Sequence, residues 1–332
     1  MAAPHGPPRR RAGSGAAPAS APLLDSAPAL RWDDGQVSDD THAGPVSAAA
    51  ETFERHRPVM TGVAYRMLGR FADAEDVVQE AWLRWADTDH GKVREPRAFL
   101  VRTTTRLAID RLRHVQSRRE AYVGEWLPEP LTTDGGAGAE DRVLLAETVS
   151  LAMLVLLESL SPLERAVFVL REAFGYRYAE IAAILDRAEP AVRQLAGRAR
   201  RHVEAREQRF DADPALSARV TESFLAACTG GDLDGLLALL APDVRLIGDG
   251  GGVQKAPLRI LATAADVGRF LHAISDDVPP AMGVAFREVN GAPAIVITSY
   301  GRPHTVVSLE LRDGRIACVY LLTNPGKLTG IR

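Results

Sequence analysis

The stretch Tyr178–His202, YAEIAAILDRAEPAVRQLAGRARRH, constrains the fold of this chain more than any other. Tyr178, Ile181, Ala182 and Leu185 recur at i, i+3, i+4 and i+7, the spacing of a helix with one apolar face. Asp186–Glu189 is short and polar, which fits a tight turn. Pro190 suits the first turn of a second helix, where its missing N–H costs nothing. In that helix Val192, Leu195, Ala199 and Val203 point inward, and Arg193, Gln194, Gly197, Arg198 and Arg201 stay outside. Four arginines fall between Arg193 and Arg201, with no acid between Pro190 and Val203. A helix-turn-helix with a basic outer face is a geometry that enters a DNA major groove. A solvated surface helix pair would carry the same residues, so the remainder of the chain must decide.

At 332 residues, 46% hydrophobic and 25% charged, the chain is long and apolar enough for two or three domains. Its net charge of −3 does not point to nucleic acid, so any DNA contact must come from local patches. Two cysteines, Cys228 and Cys318, cannot build a disulfide framework, and their apolar surroundings suggest buried thiols. The eight histidines are scattered, and no metal or cofactor is expected. The apolar run Leu151–Leu157 is far short of the ~20 residues of a membrane span. Arg9–Arg11 is followed by Ala, Pro, Gly and Ser rather than the apolar core of an export signal. The expectation is a cytoplasmic protein without a membrane partner.

Residues 1–47 are rich in Ala, Pro, Gly and Ser and are expected to be disordered. A helix over Phe53–Leu68 follows, with a kink or late start at Pro58. Asp73 suits an N-cap, and the helix after it leaves Asp76, Gln79 and Glu80 on an acidic, polar face. A further helix from Pro96 buries Phe99, Leu100, Thr103 and Leu107 and presents a second basic stripe: Arg102, Arg106, Arg111 and Arg113. Residues 116–140 read as a linker, whose WLPEPL piece (Trp126–Leu131) carries apolar groups suited to docking, while the rest is a tether. Helices resume near Asp141, and Ser161–Glu164 forms a capping box with Pro162 at the first helical position. From Phe210 the pattern changes to helices followed by period-two strands, with hairpin signals at Asn290–Gly291 and Asp313–Gly314. That is an antiparallel α+β domain over residues 210–332.

Together these residues resemble an extracytoplasmic-function sigma factor of the sigma-70 family. DAEDVVQEAWLRW and REPRAFLVRTTTRLAIDRLR look like sigma region 2, and LSPLERAVFVLREAFGYRYAEIAAIL with the helix after it looks like region 4. The resemblance implies a multidomain chain: region 2 over 48–115, a linker over 116–140, and region 4 with its helix-turn-helix over 141–207. It implies core RNA polymerase and promoter DNA as partners. Asp73, Asp76, Gln79 and Glu80 would meet the polymerase. Arg102, Arg106 and Arg113 would serve the −10 element, where an extruded base must be stabilised; many relatives have Asn where Arg106 stands. Arg193, Gln194 and Arg198 would read the −35 element, with Arg200 and Arg201 on phosphates.

The C-terminal part resembles a SnoaL-like domain of the cone-shaped α+β barrel type, which one group of these sigma factors carries. The resemblance extends to the linker Tyr122–Pro130 and to two motifs, here Asp249-Gly250-Gly251-Gly252-Val253 and Asn324-Pro325-Gly326-Lys327-Leu328. The second and first of these depart from the group at Gly326 and Val253. The resemblance implies regulation in cis through Trp126, Asp249, Gly250, Gly251, Asn324, Pro325 and Lys327, with room for a small ligand in the C-terminal domain. A ligand-sensing DNA-binding regulator and a SnoaL-like enzyme with a helical appendage are the alternatives. Asp243, Asp249 and His272 are candidate acid–base groups, but their spacing is not diagnostic, and a non-enzymatic role is expected.

Overall fold

The computed structural model describes residues 45–119, 122–132, 149–205, 213–275 and 277–331. The expected disorder of residues 1–47, the tether after Thr132, the helix start at Asp141 and the boundary at Phe210 therefore lie wholly or mostly outside the described residues.

Three helices come first: α1 (Pro45–Leu68), α2 (Phe71–Ala86) and α3 (Pro96–Arg119). Pro58 lies inside α1, which continues through it to Leu68. Gly69, with φ +70°, turns the chain into α2. Asp73 is not the N-cap of α2. The helix starts two residues earlier, at Phe71, and Arg70 at the cap position makes no side-chain cap.

Four helices follow: α4 (Leu151–Glu158), α5 (Pro162–Phe168), α6 (Tyr178–Leu185) and α7 (Glu189–Glu204). The Ser161–Glu164 capping box forms at the start of α5, and a π-turn (Val169–Ala173) carries the chain on to Gly175, with φ +69°. Asp186 closes α6 in the left-handed region, a conformation Asp tolerates better than most side chains. Val192, Leu195, Ala196, Ala199 and Val203 are the buried face of α7. The two helical groups share one continuous core, from Val63 and Leu68 through Leu112 to Leu154, Ile181 and Val192.

The C-terminal unit places α8 (Pro214–Gly230), α9 (Leu233–Leu239) and α10 (Ala264–Ser275) on a five-stranded sheet. Its strands are β1 (Leu240–Asp249), β2 (Met282–Val289), β3 (Ala292–Ser299), β4 (Arg302–Arg312) and β5 (Arg315–Leu322), in the order β1-β5-β4-β3-β2. The sheet is open, not a closed barrel, and β1 joins β5 in parallel, so it is mixed rather than wholly antiparallel. Both expected hairpin turns form, with positive φ at Asn290–Gly291 and Asp313–Gly314. Tyr300–Gly301 makes a third in the same way, without the Asn or Asp that usually signals one.

The sheet has apolar contacts on both faces. Val307, Leu309, Val319 and Leu321 meet α8–α10. Val306, Cys318, Tyr320 and Leu322 meet Leu127, Leu151 and Ala152 from the helical part. This explains why β5 reads as a continuous apolar run: a strand buried on both sides has no solvent face to mark with polar residues.

Candidate nucleic-acid interface and interdomain junction

The outer face of α7 carries the basic residues expected there. Arg193, Gln194, Arg198, Arg200 and Arg201 are exposed, and a side chain at Gly197 would meet open space. Three of the arginines hold acids of the same helical group: Arg193–Glu189 at 2.5 Å, Arg198–Glu164 at 2.9 Å and Arg200–Glu172 at 2.7 Å. Arg193 also lies 4.7 Å from the centre of the Tyr178 ring, with Arg171 at 4.8 Å from it. Burial works against the charge of Glu164, but hydrogen bonds involving Ser161 and Arg198 outweigh it and hold the carboxyl below its usual range. Exposed pairs of this kind are worth ~0–1 kcal/mol each, so anionic oxygens from another molecule can replace them at little cost.

On α3 the stripe divides. Arg102 is exposed beside a surface cavity of 410 Å³ that Val93 and Phe99 also line. Arg113 is exposed and paired with Asp110 at 3.1 Å. Arg106 donates its Nε to the Ile184 carbonyl at 3.2 Å, near the C-terminus of α6. Arg111 turns to α2 instead, reaching Asp73 at 2.9 Å and Asp76 at 3.3 Å. The acidic face of α2 divides in the same way: Asp76, Gln79 and Glu80 are exposed, whereas Asp73 is largely buried beneath Arg111.

The junction with the C-terminal unit centres on residues 122–132, a strap running between the α1–α2 corner and the sheet. Its prolines cannot donate, and the three alternate amides beside them each do. Leu127 N–H donates to Asp249 Oδ2 at 2.9 Å, Glu129 N–H to the Gly69 carbonyl at 2.7 Å, and Leu131 N–H to Asn290 Oδ1 at 3.0 Å. The Glu129 carboxylate accepts from Phe71 N–H at 3.0 Å. A strap acid thus serves the N-terminus of α2, where negative charge is favourable and where Asp73 had been the expected cap. Tyr65 donates its hydroxyl to the Glu129 carbonyl at 2.8 Å. Asn290 Nδ2 donates to Tyr65 Oη at 3.3 Å and to the Val149 carbonyl at 3.1 Å.

Asp249 is fully buried at the end of β1. It accepts from Tyr122 at 2.5 Å, from the Leu127 and Gly251 amides at 2.9 and 3.1 Å, and from Asn324 Nδ2 at 3.3 Å. Lys327 Nζ reaches Asp249 Oδ2 at 2.6 Å and the Leu127 carbonyl at 2.5 Å, and lies 3.7 Å from the centre of the Trp126 ring. Gly251 has φ +64°, and a Cβ there would come within 2.7 Å of Asn324. Gly250 is as tight, since a Cβ would come within 2.2 Å of the Gln254 carbonyl oxygen. Pro325 opens the short 3-10 turn that carries Lys327. Burial and the bond to Asp249 push the Tyr122 hydroxyl pKa well up, so it stays protonated and donating.

All seven junction residues singled out from the sequence therefore lie in or beside this strap contact. Sequence reasoning missed Tyr65, Glu129 and Asn290. Glu129 had one signal, a lone acid between two prolines in an apolar segment; Asn290 was hidden by its turn role. The candidate acid–base groups do not converge. Asp243 pairs with Arg312 on the surface and sits six residues from Asp249 along β1, and His272 is exposed on α10.

Among the described residues, no helix is long and apolar enough to cross a membrane. The family model for Sigma-70 region 2 matches residues 52–119, and that for Sigma-70, region 4 matches residues 150–203. The ECF RNA polymerase sigma factor SigJ of Mycobacterium tuberculosis is 38% identical over 84% of this chain and 92% of its own length. The probable ECF RNA polymerase sigma factor SigI of the same species is 34% identical over 87% of this chain and 96% of its own. The crystal structure of the M. tuberculosis SigJ superimposes with a TM-score of 0.65 at 33% identity, covering 85% of this chain and 98% of that one. With both sigma regions in order and similarity running on through the C-terminal unit, the chain belongs to the extracytoplasmic-function RNA polymerase sigma factors.

Proposed function

We propose that this chain binds core RNA polymerase through the exposed Asp76, Gln79 and Glu80 of α2, with Asp73 positioning Arg111 beneath them. It reads the −35 element with Arg193, Gln194 and Arg198, and Arg200 and Arg201 meet phosphates. Arg102, Arg106 and Arg113 serve the −10 element. The observation that carries this reading is the exposed basic face of α7, three of whose arginines pair with acids of the same helical group.

The C-terminal unit controls this activity in cis. Arg106 gives its Nε to the carbonyl of Ile184, a bond between the two helical groups that must break before that nitrogen can meet DNA. The strap, fixed to Asp249, Lys327 and Asn290, favours the closed arrangement. Polymerase binding would have to supply the differential free energy that opens it. The protein acts in the cytoplasm, where its polymerase and promoter are.

Transcription in vitro with core polymerase, using the full chain and a chain ended before Phe210, tests both parts. Promoter-specific transcripts are expected, with a different yield from the truncated chain. Absence of core binding in a pull-down would sink the first part, and equal yields the second. A ligand-sensing repressor would instead bind its operator tightly without polymerase, which a mobility-shift assay reads directly.

A further inference from the structure

The sheet face turned towards the strap carries more than apolar contacts. The register sets Arg245, Cys318 and Glu310 in one row across β1, β5 and β4, and Ile247 and Tyr320 in the next row of the same face, on β1 and β5. Beside these rows is a cavity of 430 Å³, bounded by Arg245, Ile247 and Tyr320, by Trp126 of the strap, and by Val155 and Leu156 of α4. That volume lies within the range of small-molecule sites, as does a lining that is mainly apolar with a few polar groups.

Arg245 is the unusual wall. Its Nε is buried and has no hydrogen-bond partner among the described residues. A buried donor left unmade is destabilising, and the half-buried side chain that carries it lines the cavity. Glu310 is its neighbour across Cys318. Burial raises the Glu310 carboxyl to about 8, against the opposing effects of the Tyr320 bond and the Arg245 charge, so it is protonated at neutral pH. Of the other charges on the walls, Glu158 is paired with Arg165 at 2.8 Å, and Glu125 is half-buried on the strap side. On the apolar side of the lining, Ile260 is 39% exposed.

We infer that this cavity binds a small amphiphile, an aliphatic body with one carboxylate head, and that Arg245 holds the head. The walls come from the sheet, the strap and α4, so an occupant favours the arrangement in which all three are in place. That consequence rests on the cis-control reading above; the binding itself does not.

Calorimetric titration of the full chain with octanoate, and with octanol as its uncharged counterpart, is the test. Octanoate is expected to bind saturably, one per chain. Arg245→Met is expected to weaken octanoate at least tenfold and leave octanol unchanged. Val155→Trp, which fills the cavity, is expected to abolish both, with thermal unfolding as the check that each variant is folded. Absence of saturable octanoate binding, or wild-type affinity in a folded Arg245→Met, would overturn the proposal. The titration contains neither polymerase nor DNA, so its failure leaves the promoter reading standing, and the reverse also holds.

Discussion

Asp249 shows how much depends on single side chains here. It is a buried carboxylate beside a buried ammonium, and removing one partner of such a pair costs ~3–5 kcal/mol because the other is left uncompensated. Asp249→Ala is therefore expected to lower unfolding free energy by about that amount in urea. Lys327→Met should cost less, because Tyr122 and the amides of Leu127 and Gly251 still serve the carboxylate. A loss below about 1 kcal/mol for Asp249→Ala would show that the pair does not hold the junction. Glu310 predicts a pH effect. Its folded pKa of about 8 lies above the ~4.3 of an unfolded Glu, so folding takes up a proton between those values. Its contribution is complete below the lower value and is lost as pH rises towards the upper one. Glu310→Gln keeps an acceptor for Tyr320 and removes the titration. Discounted for partial exposure, it should stabilise the protein by ~1–2 kcal/mol near pH 8.5 and have little effect near pH 5. Parallel stability curves for the two proteins would refute this.

At the scale of elements, the strap and α7 differ in how they could be foreseen. The periodicity of α7 names its buried and exposed faces directly, and the structure follows it. If its exposed arginines read bases, Arg193→Ala or Arg198→Ala should lose ~1–3 kcal/mol of discrimination at particular base pairs, and Arg201→Ala should weaken all sequences alike. Binding measured across a promoter library separates the two patterns. The strap has no period to read. It packs closely against Gly69, where a Cβ would come within 2.9 Å of both the Trp126 ring and Glu158, at φ +70°. Gly69→Ala is expected to cost ~1–3 kcal/mol and loosen the strap, measured by denaturation and by faster exchange of the Glu129 amide. An unshifted midpoint would mean the corner yields easily.

For the whole molecule, the second face of the sheet is what joins the parts. Leu127, Leu151 and Ala152 pack on it with Val306 and Tyr320. A chain ended before Phe210 uncovers Leu127, Leu151 and Ala152, so it should bind an apolar dye that the full chain does not and should differ in promoter output. Matching dye binding by the two chains would argue against a junction that covers this surface.

The sequence alone determined the elements and much of their chemistry: an amphipathic period, a capping box, Asn-Gly and Asp-Gly turns and the order of two basic helices are local signals, each contained within a few residues. It also singled out Asp249, Asn324 and Lys327 through their motifs. Tertiary structure decided what no local pattern encodes. It buried Asp73 under Arg111, gave the α2 cap to Glu129 from 58 residues away, aimed Arg106 at Ile184, and merged two helical groups into one core. It also set Arg245, Cys318 and Glu310 side by side from three strands. The physical reason is common to all of these. A long-range partner is chosen by packing, which depends on where two distant faces meet, whereas the propensity of a short segment depends only on itself.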